Sequence, residues 1–103
     1  MRVVIAEDLV LLRDGLTRLL RDNDVEVVAA VSDGDALIRE VVGLRPDLAI
    51  VDIRLPPSFH DEGLRAALEV RRRVPGTAVL VVSQYVEPAY AEELLADRGG
   101  GIG

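Results

Sequence analysis

The stretch Leu48-Ala49-Ile50-Val51-Asp52-Ile53-Arg54-Leu55-Pro56-Pro57 decides the fold of this chain. The run from Leu48 to Val51 is apolar, β-branched in part and too short for a helix, so it predicts a strand buried on both faces in a parallel sheet. The two prolines ensure that the run ends soon after Asp52. That residue lies at the carboxyl end of the strand, which is the edge of an open α/β sheet where ligands collect. Asp52 is therefore the first candidate functional residue.

The other segments alternate between strand and helix patterns. Strands are predicted at 2–6, 25–31, 48–51 and 78–82, with Ile102 as the first residue of a fifth, and helices at 9–24, 35–43, 64–74 and 87–97. The predicted inward side chains are Leu12, Leu16, Leu19 and Leu20 in the first helix and Leu64, Ala67 and Leu68 in the third. This alternation predicts an α/β fold, a doubly wound parallel sheet with helices on both faces. Because no helix follows the fifth strand, we expect the last helix to be missing and an apolar patch to be uncovered.

Composition narrows the class of function. The 103 residues make one domain, and half of them are hydrophobic. The absence of cysteine excludes disulfides and thiolate metal sites. The net charge is −6 and every basic residue is Arg, which disfavours direct contact with nucleic acid and favours a metal cation or a basic partner. The sequence contains neither a membrane-spanning run nor a signal peptide, so we expect a cytoplasmic domain without a membrane partner.

Polar side chains follow three of the predicted strands. Glu7 and Asp8 come after the first strand, Asp52 ends the third and Ser83 follows the fourth. If these strands are adjacent, their tips converge, and three carboxylates without a neighbouring Lys or His favour a bound cation. Hard oxygen ligands suit Mg²⁺. An Asp that faces a metal-bound phosphate can act as a nucleophile and form an acyl phosphate.

A simpler explanation exists for each of these residues alone. An acidic residue after a strand is often a helix N-cap or a turn former, and Asp8 is placed to cap the first helix. Four such residues in this order at strand tips favour a functional site instead.

The pattern resembles the receiver domain of two-component response regulators. The matching pieces are Ile5-Ala6-Glu7-Asp8, the stretch from Leu48 to Pro56, and Leu80-Val81-Val82-Ser83, and the similarity spans the whole chain. Residues 56–65 and 82–87 look like the NarL/FixJ (LuxR-type) family, whose members usually carry a C-terminal helix-turn-helix DNA-binding domain. The resemblance implies a flavodoxin-like (CheY-like) fold with strand order 2-1-3-4-5.

The resemblance also implies a role for each site residue. Asp52 would be the phosphoacceptor, Asp8 would bind Mg²⁺ directly and Glu7 would bind it through water. The backbone carbonyl of Arg54 would complete the metal site, and Ser83 would hydrogen-bond the phosphoryl oxygen and report phosphorylation. The family's fifth-strand Lys and switch aromatic would fall just beyond Gly103, where the sequence ends, so the chain 1–103 is expected to be a C-terminally truncated receiver domain. The DNA-binding domain is expected downstream.

The favoured hypothesis is a phosphorylation-switched signalling module, not an enzyme. A sensor histidine kinase or a small acyl phosphate would supply the phosphoryl group, and the protein's own DNA-binding domain would give a transcriptional output. We also expect a homodimer through the uncovered apolar patch.

Two alternatives stay open. One is a Mg²⁺-dependent phosphatase with an aspartyl-phosphate intermediate, but such enzymes place a second Asp two residues after the nucleophile, where this chain has Arg54. The other is a receiver-like interaction module that works without phosphorylation. Among the other residues considered, His60 is expected to be exposed and not a ligand, and Gly34 and Gly63 are expected to serve backbone geometry and not phosphate binding.

Overall fold

A computed structural model describes residues 1–57 and 60–82. Four parallel strands form one sheet, namely β1 (Arg2–Ala6), β2 (Glu26–Val31), β3 (Leu48–Asp52) and β4 (Ala78–Val82), in the order β2-β1-β3-β4. They alternate along the chain with the helices α1 (Val10–Asp22), α2 (Gly34–Leu44) and α3 (Glu62–Arg73). The predicted doubly wound parallel sheet is confirmed, and these four strands have the predicted order. The predicted fourth helix, the fifth strand and Ser83 lie outside the described residues.

The strand β3 lies in the interior of the sheet between β1 and β4. Its pairing with β1 aligns Ile50 with Ile5, and its pairing with β4 aligns Asp52 with Val82. Ala49 and Val51 are fully buried on one face, and Ile50 is buried on the other. Burial on both faces is the physical reason why the strand is apolar throughout. The sequence therefore predicts the strand from its continuous apolar run.

Within residues 1–57 and 60–82, the two faces of the sheet are covered unequally. The larger core lies under α2 and α3 and includes Val4, Ala49, Leu37, Val41, Ala66, Ala67 and Val70. The smaller core lies under α1 and consists of Val3, Ile5, Val27 and Ile50, with Leu16 and Leu20 of α1 packed against it. In the part of the chain that the structure describes, α1 is the one helix on this second face.

The helix α1 is therefore poorly buried. The prediction for its inward face is half right, because Leu16 and Leu20 are half-buried against the sheet while Leu12 and Leu19 are exposed. In α3 the prediction of an inward Leu68 is wrong, since that side chain is 48% exposed. The buried face of α3 consists of Gly63, Ala66, Ala67 and Val70. Leu68 directly follows Ala67 in the sequence, and this single step turns its side chain away from that face.

Local chemistry sets the bounds of α2. The Asp33 carboxylate accepts the N–H of Ala36 at 2.8 Å, which fixes the first turn and starts the helix one residue earlier than predicted. The helix ends at Leu44 because Arg45 adopts a left-handed conformation (φ 48°, ψ 61°). None of the helices in the described segments is long and apolar enough to cross a lipid bilayer.

Candidate phosphoacceptor and metal site

Three carboxylates meet at the carboxyl ends of β1 and β3. Glu7 and Asp8 directly follow β1, Asp52 ends β3, and one carboxylate oxygen from each lies within 4.8 Å of the others. Glu7 and Asp52 are buried, with 1% and 5% exposure, and Asp8 is half-buried. The structure thus brings together the three carboxylates that the sequence predicted to converge. The adjacency of β1 and β3 is what makes this possible.

Glu7 is held at three of its polar groups. Its backbone N–H donates to the carbonyl of Val31 at 2.9 Å, which extends the pairing of β1 with β2. Its carboxylate accepts the N–H of Leu9 at 3.1 Å, and its carbonyl accepts a hydrogen bond from Nη1 of Arg13 at 3.0 Å. These contacts fix the turn between β1 and α1, which carries two of the three carboxylates.

Asp8 is not the N-cap of α1. The capping position belongs to Leu9, and no side chain makes a capping hydrogen bond there. The Leu9 N–H instead donates to the carboxylate of Glu7. The simpler explanation offered for Asp8, a helix cap, is therefore wrong, and its carboxyl group belongs to the cluster.

Asp52 is positioned by the backbone that follows it. The N–H of Arg54 donates to Oδ1 of Asp52 at 3.1 Å, which orients the carboxylate. The next residue, Ile53, donates its N–H to Val82 at 3.0 Å and accepts the N–H of Gly63 at 2.8 Å. The carboxyl end of β3 is thereby tied both to β4 and to the start of α3.

Gly63 allows α3 to approach this strand end closely. A Cβ atom at Gly63 would overlap the carbonyl oxygen of Asp52 and lie 2.8 Å from the Cα of Ile53. Gly34 plays a related part in α2, where a Cβ would lie 3.1 Å from the Cβ of Ala66. Both glycines serve backbone geometry, as predicted.

The electrostatics of the cluster favour a positive charge. Burial raises the pKa of Glu7 to about 7, and the neighbouring carboxyl groups of Asp52 and Asp8 add to the rise. The N–H of Leu9 acts in the opposite direction. Glu7 thus takes up a proton more readily than an exposed Glu does, at the place where a cation fits. Oxygen ligands of this kind suit a hard divalent metal ion, and the three carboxylates could hold one.

An apolar cleft of about 270 Å³ adjoins the carboxylates on the α1 face. Its walls consist of hydrophobic side chains, with two carboxylates at one end: Leu12, Leu16, Ile50, Leu80 and Val82, with Glu7 and Asp52. This apolar wall contributes to the burial that disfavours the charged form of Glu7.

The remaining site predictions have different outcomes. The N–H of Arg54 contacts Asp52, while the role of its carbonyl as a metal ligand stays a prediction. His60 is exposed, as expected.

Arg13 was not among the predicted site residues. The signal that could have indicated it is a cation in the first turn of a helix, where the helix dipole disfavours positive charge.

Comparisons with known proteins agree with this geometry. The family model described as the response regulator receiver domain matches residues 3–100. The oxygen regulatory protein NreC of Staphylococcus haemolyticus is 31% identical over 102 residues, which cover 98% of this chain and 46% of that protein. The chain thus spans about half the length of the curated relatives that it matches.

Solved structures give the same result. The signal receiver domain of NarL from Mycobacterium tuberculosis is 32% identical, with a TM-score of 0.81 over 98% of this chain and 77% of that one. A DNA-binding response regulator of the LuxR family from Staphylococcus aureus is 26% identical, with a TM-score of 0.80 over 92% of this chain and 78% of that one.

This chain belongs to the response regulator receiver domain family. The predicted resemblance to receivers of the NarL/FixJ (LuxR-type) group is confirmed. The helix-turn-helix domain expected downstream stays a prediction.

Proposed function

We propose that this domain is the phosphoacceptor switch of a two-component response regulator, and that Asp52 accepts the phosphoryl group. The observation that carries the proposal is the buried meeting of Glu7, Asp8 and Asp52, with carboxylate oxygens within 4.8 Å, at the carboxyl ends of adjacent strands. An isolated buried carboxylate can act as a structural hydrogen-bond acceptor. Three together are electrostatically costly, so a bound cation gives the better account of their close placement.

The proposed metal ion is Mg²⁺. Asp8 and Asp52 would hold it, together with Glu7 and the carbonyl of Arg54. When bound, Mg²⁺ supplies positive charge that neutralises the oxygens of an incoming phosphoryl group. The chain's own part is to present hard oxygen ligands from a rigid strand end.

The proposed reaction is a phosphoryl transfer onto a carboxylate. An oxygen of Asp52 attacks the phosphorus atom of the donor, and a new oxygen–phosphorus bond forms. The bond from phosphorus to the donor breaks, and the donor's leaving atom, an imidazole nitrogen or an acyl oxygen, keeps the electron pair. The N–H of Arg54 fixes the rotation of the Asp52 carboxylate for this attack. Ser83, which lies outside the described residues, would hydrogen-bond the phosphoryl group once it is attached.

The proposed donor is a sensor histidine kinase or a small acyl phosphate, and the proposed setting is the cytoplasm. We regard the domain as a switch and not as a dedicated enzyme, because the position two residues after Asp52 is Arg54 and offers no acid/base carboxylate. Its output would pass through a DNA-binding domain on the same protein, with no direct contact between this domain and nucleic acid.

Self-association is a further part of the proposal. Exposed hydrophobic side chains cluster on and next to α1: Leu9, Val10, Leu11, Leu12 and Leu19. Apolar surface of this kind favours association, so we expect a homodimer. Light scattering across a concentration series tests this expectation, and a monomer at every concentration would contradict it.

The decisive experiment is intact-mass analysis after incubation with acetyl phosphate and Mg²⁺. Wild type should gain one phosphoryl group, and Asp52→Asn should gain none. The matched control is Asp22→Asn, which alters an exposed Asp at the far end of α1 and should behave as wild type. A folded wild type that stays unmodified would favour an interaction module that works without phosphorylation. Release of phosphate from a phosphomonoester would favour the phosphatase alternative.

A further inference from the structure

Arg13 has an unusual position for a cation. It lies in the first turn of α1, at the positive end of the helix dipole, where acidic side chains are favoured and none is present. Its side chain does not extend into solvent along the helix. It turns back toward the sheet, is half-buried, and donates from Nη1 to the carbonyl of Glu7 at 3.0 Å. The hydrogen bond from Arg13 to Glu7 forms although the helix dipole disfavours a cation at this position, which suggests that the contact has a functional role.

We propose that Arg13 is a positioning residue of the metal site, which holds the turn between β1 and α1 so that Glu7 and Asp8 keep their carboxylates facing Asp52. This inference rests on the proposed function, since it assumes that the three carboxylates bind Mg²⁺. Arg13 itself need not touch the metal ion or the phosphoryl group.

The first argument is the number of restraints on the turn. The carboxylate of Glu7 is held by the N–H of Leu9, and the carbonyl of Glu7 is held by Arg13. The hydrogen bond from Leu9 uses a backbone N–H, which any residue at position 9 except proline would provide. The hydrogen bond from Arg13 depends on one guanidinium. Without it, a carbonyl on a residue that is 1% exposed loses its charged donor, and the turn gains freedom to rotate.

The second argument is that Arg13 extends from a firmly held base. Its backbone N–H donates to the carbonyl of Leu9 at 2.8 Å, and its carbonyl accepts a hydrogen bond from the hydroxyl of Thr17 at 2.8 Å. The arm that reaches Glu7 is thus anchored on a regular helix. Groups that orient metal ligands in this way typically change metal affinity by about 10–100-fold when they are removed.

Calorimetric titration with MgCl₂ tests the inference on the unphosphorylated chain. Arg13→Met keeps the apolar stem and removes the donors, Arg13→Ala removes both, and Arg13→Lys keeps one charged donor. We expect Mg²⁺ affinity to fall about tenfold for Arg13→Met and Arg13→Ala and by less for Arg13→Lys. The matched control is Arg18→Ala, an exposed Arg on the same helix, which should bind Mg²⁺ as wild type does.

Thermal unfolding in EDTA separates positioning from stability. A purely structural role would lower the unfolding temperature of Arg13→Met and leave its Mg²⁺ affinity at the wild-type value, and this result would overturn the inference. If Arg13→Ala does not fold, the Mg²⁺ affinity of Arg13→Met decides whether Arg13 has the proposed role.

Asp8→Asn keeps the metal-site proposal and the Arg13 proposal distinguishable. Mg²⁺ binding that is lost in Asp8→Asn but intact in Arg13→Met leaves the metal site standing and refutes the role of Arg13, whereas a wild type that binds no Mg²⁺ refutes the metal site itself.

Discussion

The carboxyl groups of Glu7 and Asp52 have oxygens within 4.8 Å of each other at the ends of two adjacent strands. The ladder of β1 and β3 ends with Ala6 paired to Val51, so the next residue on each strand reaches the sheet edge at the same level. Both side chains are buried, and this burial raises the pKa of Glu7 to about 7. The proton and a metal ion therefore compete for the same oxygens.

Binding of Mg²⁺ should strengthen as pH rises through neutrality. Below about pH 7 Glu7 is mostly protonated, and the proton must leave before its carboxylate can contribute negative charge to the metal site. For one linked proton, the dissociation constant for Mg²⁺ should be about tenfold lower at pH 8 than at pH 6. Calorimetric titration in buffers of constant ionic strength measures this dependence.

Glu7→Gln provides the control for this linkage. The amide resembles the protonated carboxyl group and does not titrate, so the variant should bind Mg²⁺ weakly, with nearly the same affinity at both pH values. A variant that keeps the wild-type pH dependence would show that another group carries the linked proton.

The metal-free domain should respond to pH in the opposite sense. The pKa of Glu7 is higher in the folded chain, about 7, than its ordinary value of 4.5, so folding favours the protonated form. The resulting stability is fully present below pH 4.5 and is lost as pH rises through about 7, at a cost of up to about 3 kcal/mol. Chemical unfolding in EDTA at a series of pH values should show this loss for wild type and a flatter profile for Glu7→Gln. Equal profiles for the two proteins would argue against a raised pKa at Glu7.

Gly63→Ala should damage both the fold and the site. The added Cβ would meet the backbone of Asp52 and Ile53, which cannot move without disturbing the strand end. We expect a loss of about 3 kcal/mol in the free energy of unfolding, together with weaker phosphorylation of the folded fraction. Gly43→Ala is the matched control, since a Cβ there would meet nothing within 4 Å beyond its chain neighbours and the backbone of its own helix. It should raise stability by about 0.5–1 kcal/mol. Unchanged stability of Gly63→Ala would mean that α3 can shift away from β3.

The fold was predictable where burial imposes a periodic pattern. The strands around Ile5 and Ile50 are apolar because the sheet is covered on both faces, and this pattern is visible in the sequence. The exposure of Leu12, Leu19 and Leu68 was not predictable, because it depends on which neighbouring elements cover each helix. Periodicity identifies the apolar face of a helix but not the extent to which that face is buried.

The three carboxylates of the site could be predicted from the sequence, but the contacts that support them could not. Polar residues at strand ends stand out against apolar strands, and parallel pairing brings the ends of β1 and β3 together. The supporting contacts of Arg13 and Gly63 could not be derived in this way. One depends on the direction of a long side chain and the other on the distance between two backbone segments, and neither leaves a repeating signal in the sequence.

Replacing Arg45 with glycine should stabilise the domain. Arg45 ends α2 with a left-handed backbone (φ 48°), which costs a residue with a Cβ about 1–2 kcal/mol. Glycine avoids that cost but loses more freedom on folding, so we expect Arg45→Gly to raise the free energy of unfolding by about 0.5–1 kcal/mol. The matched control, Arg39→Gly, removes an exposed Arg from the interior of the same helix and should lower stability by about 1 kcal/mol. Urea unfolding of both variants measures the difference. Equal destabilisation of Arg45→Gly and Arg39→Gly would contradict the prediction. It would mean that the Arg45 side chain stabilises the folded state by more than the left-handed backbone destabilises it.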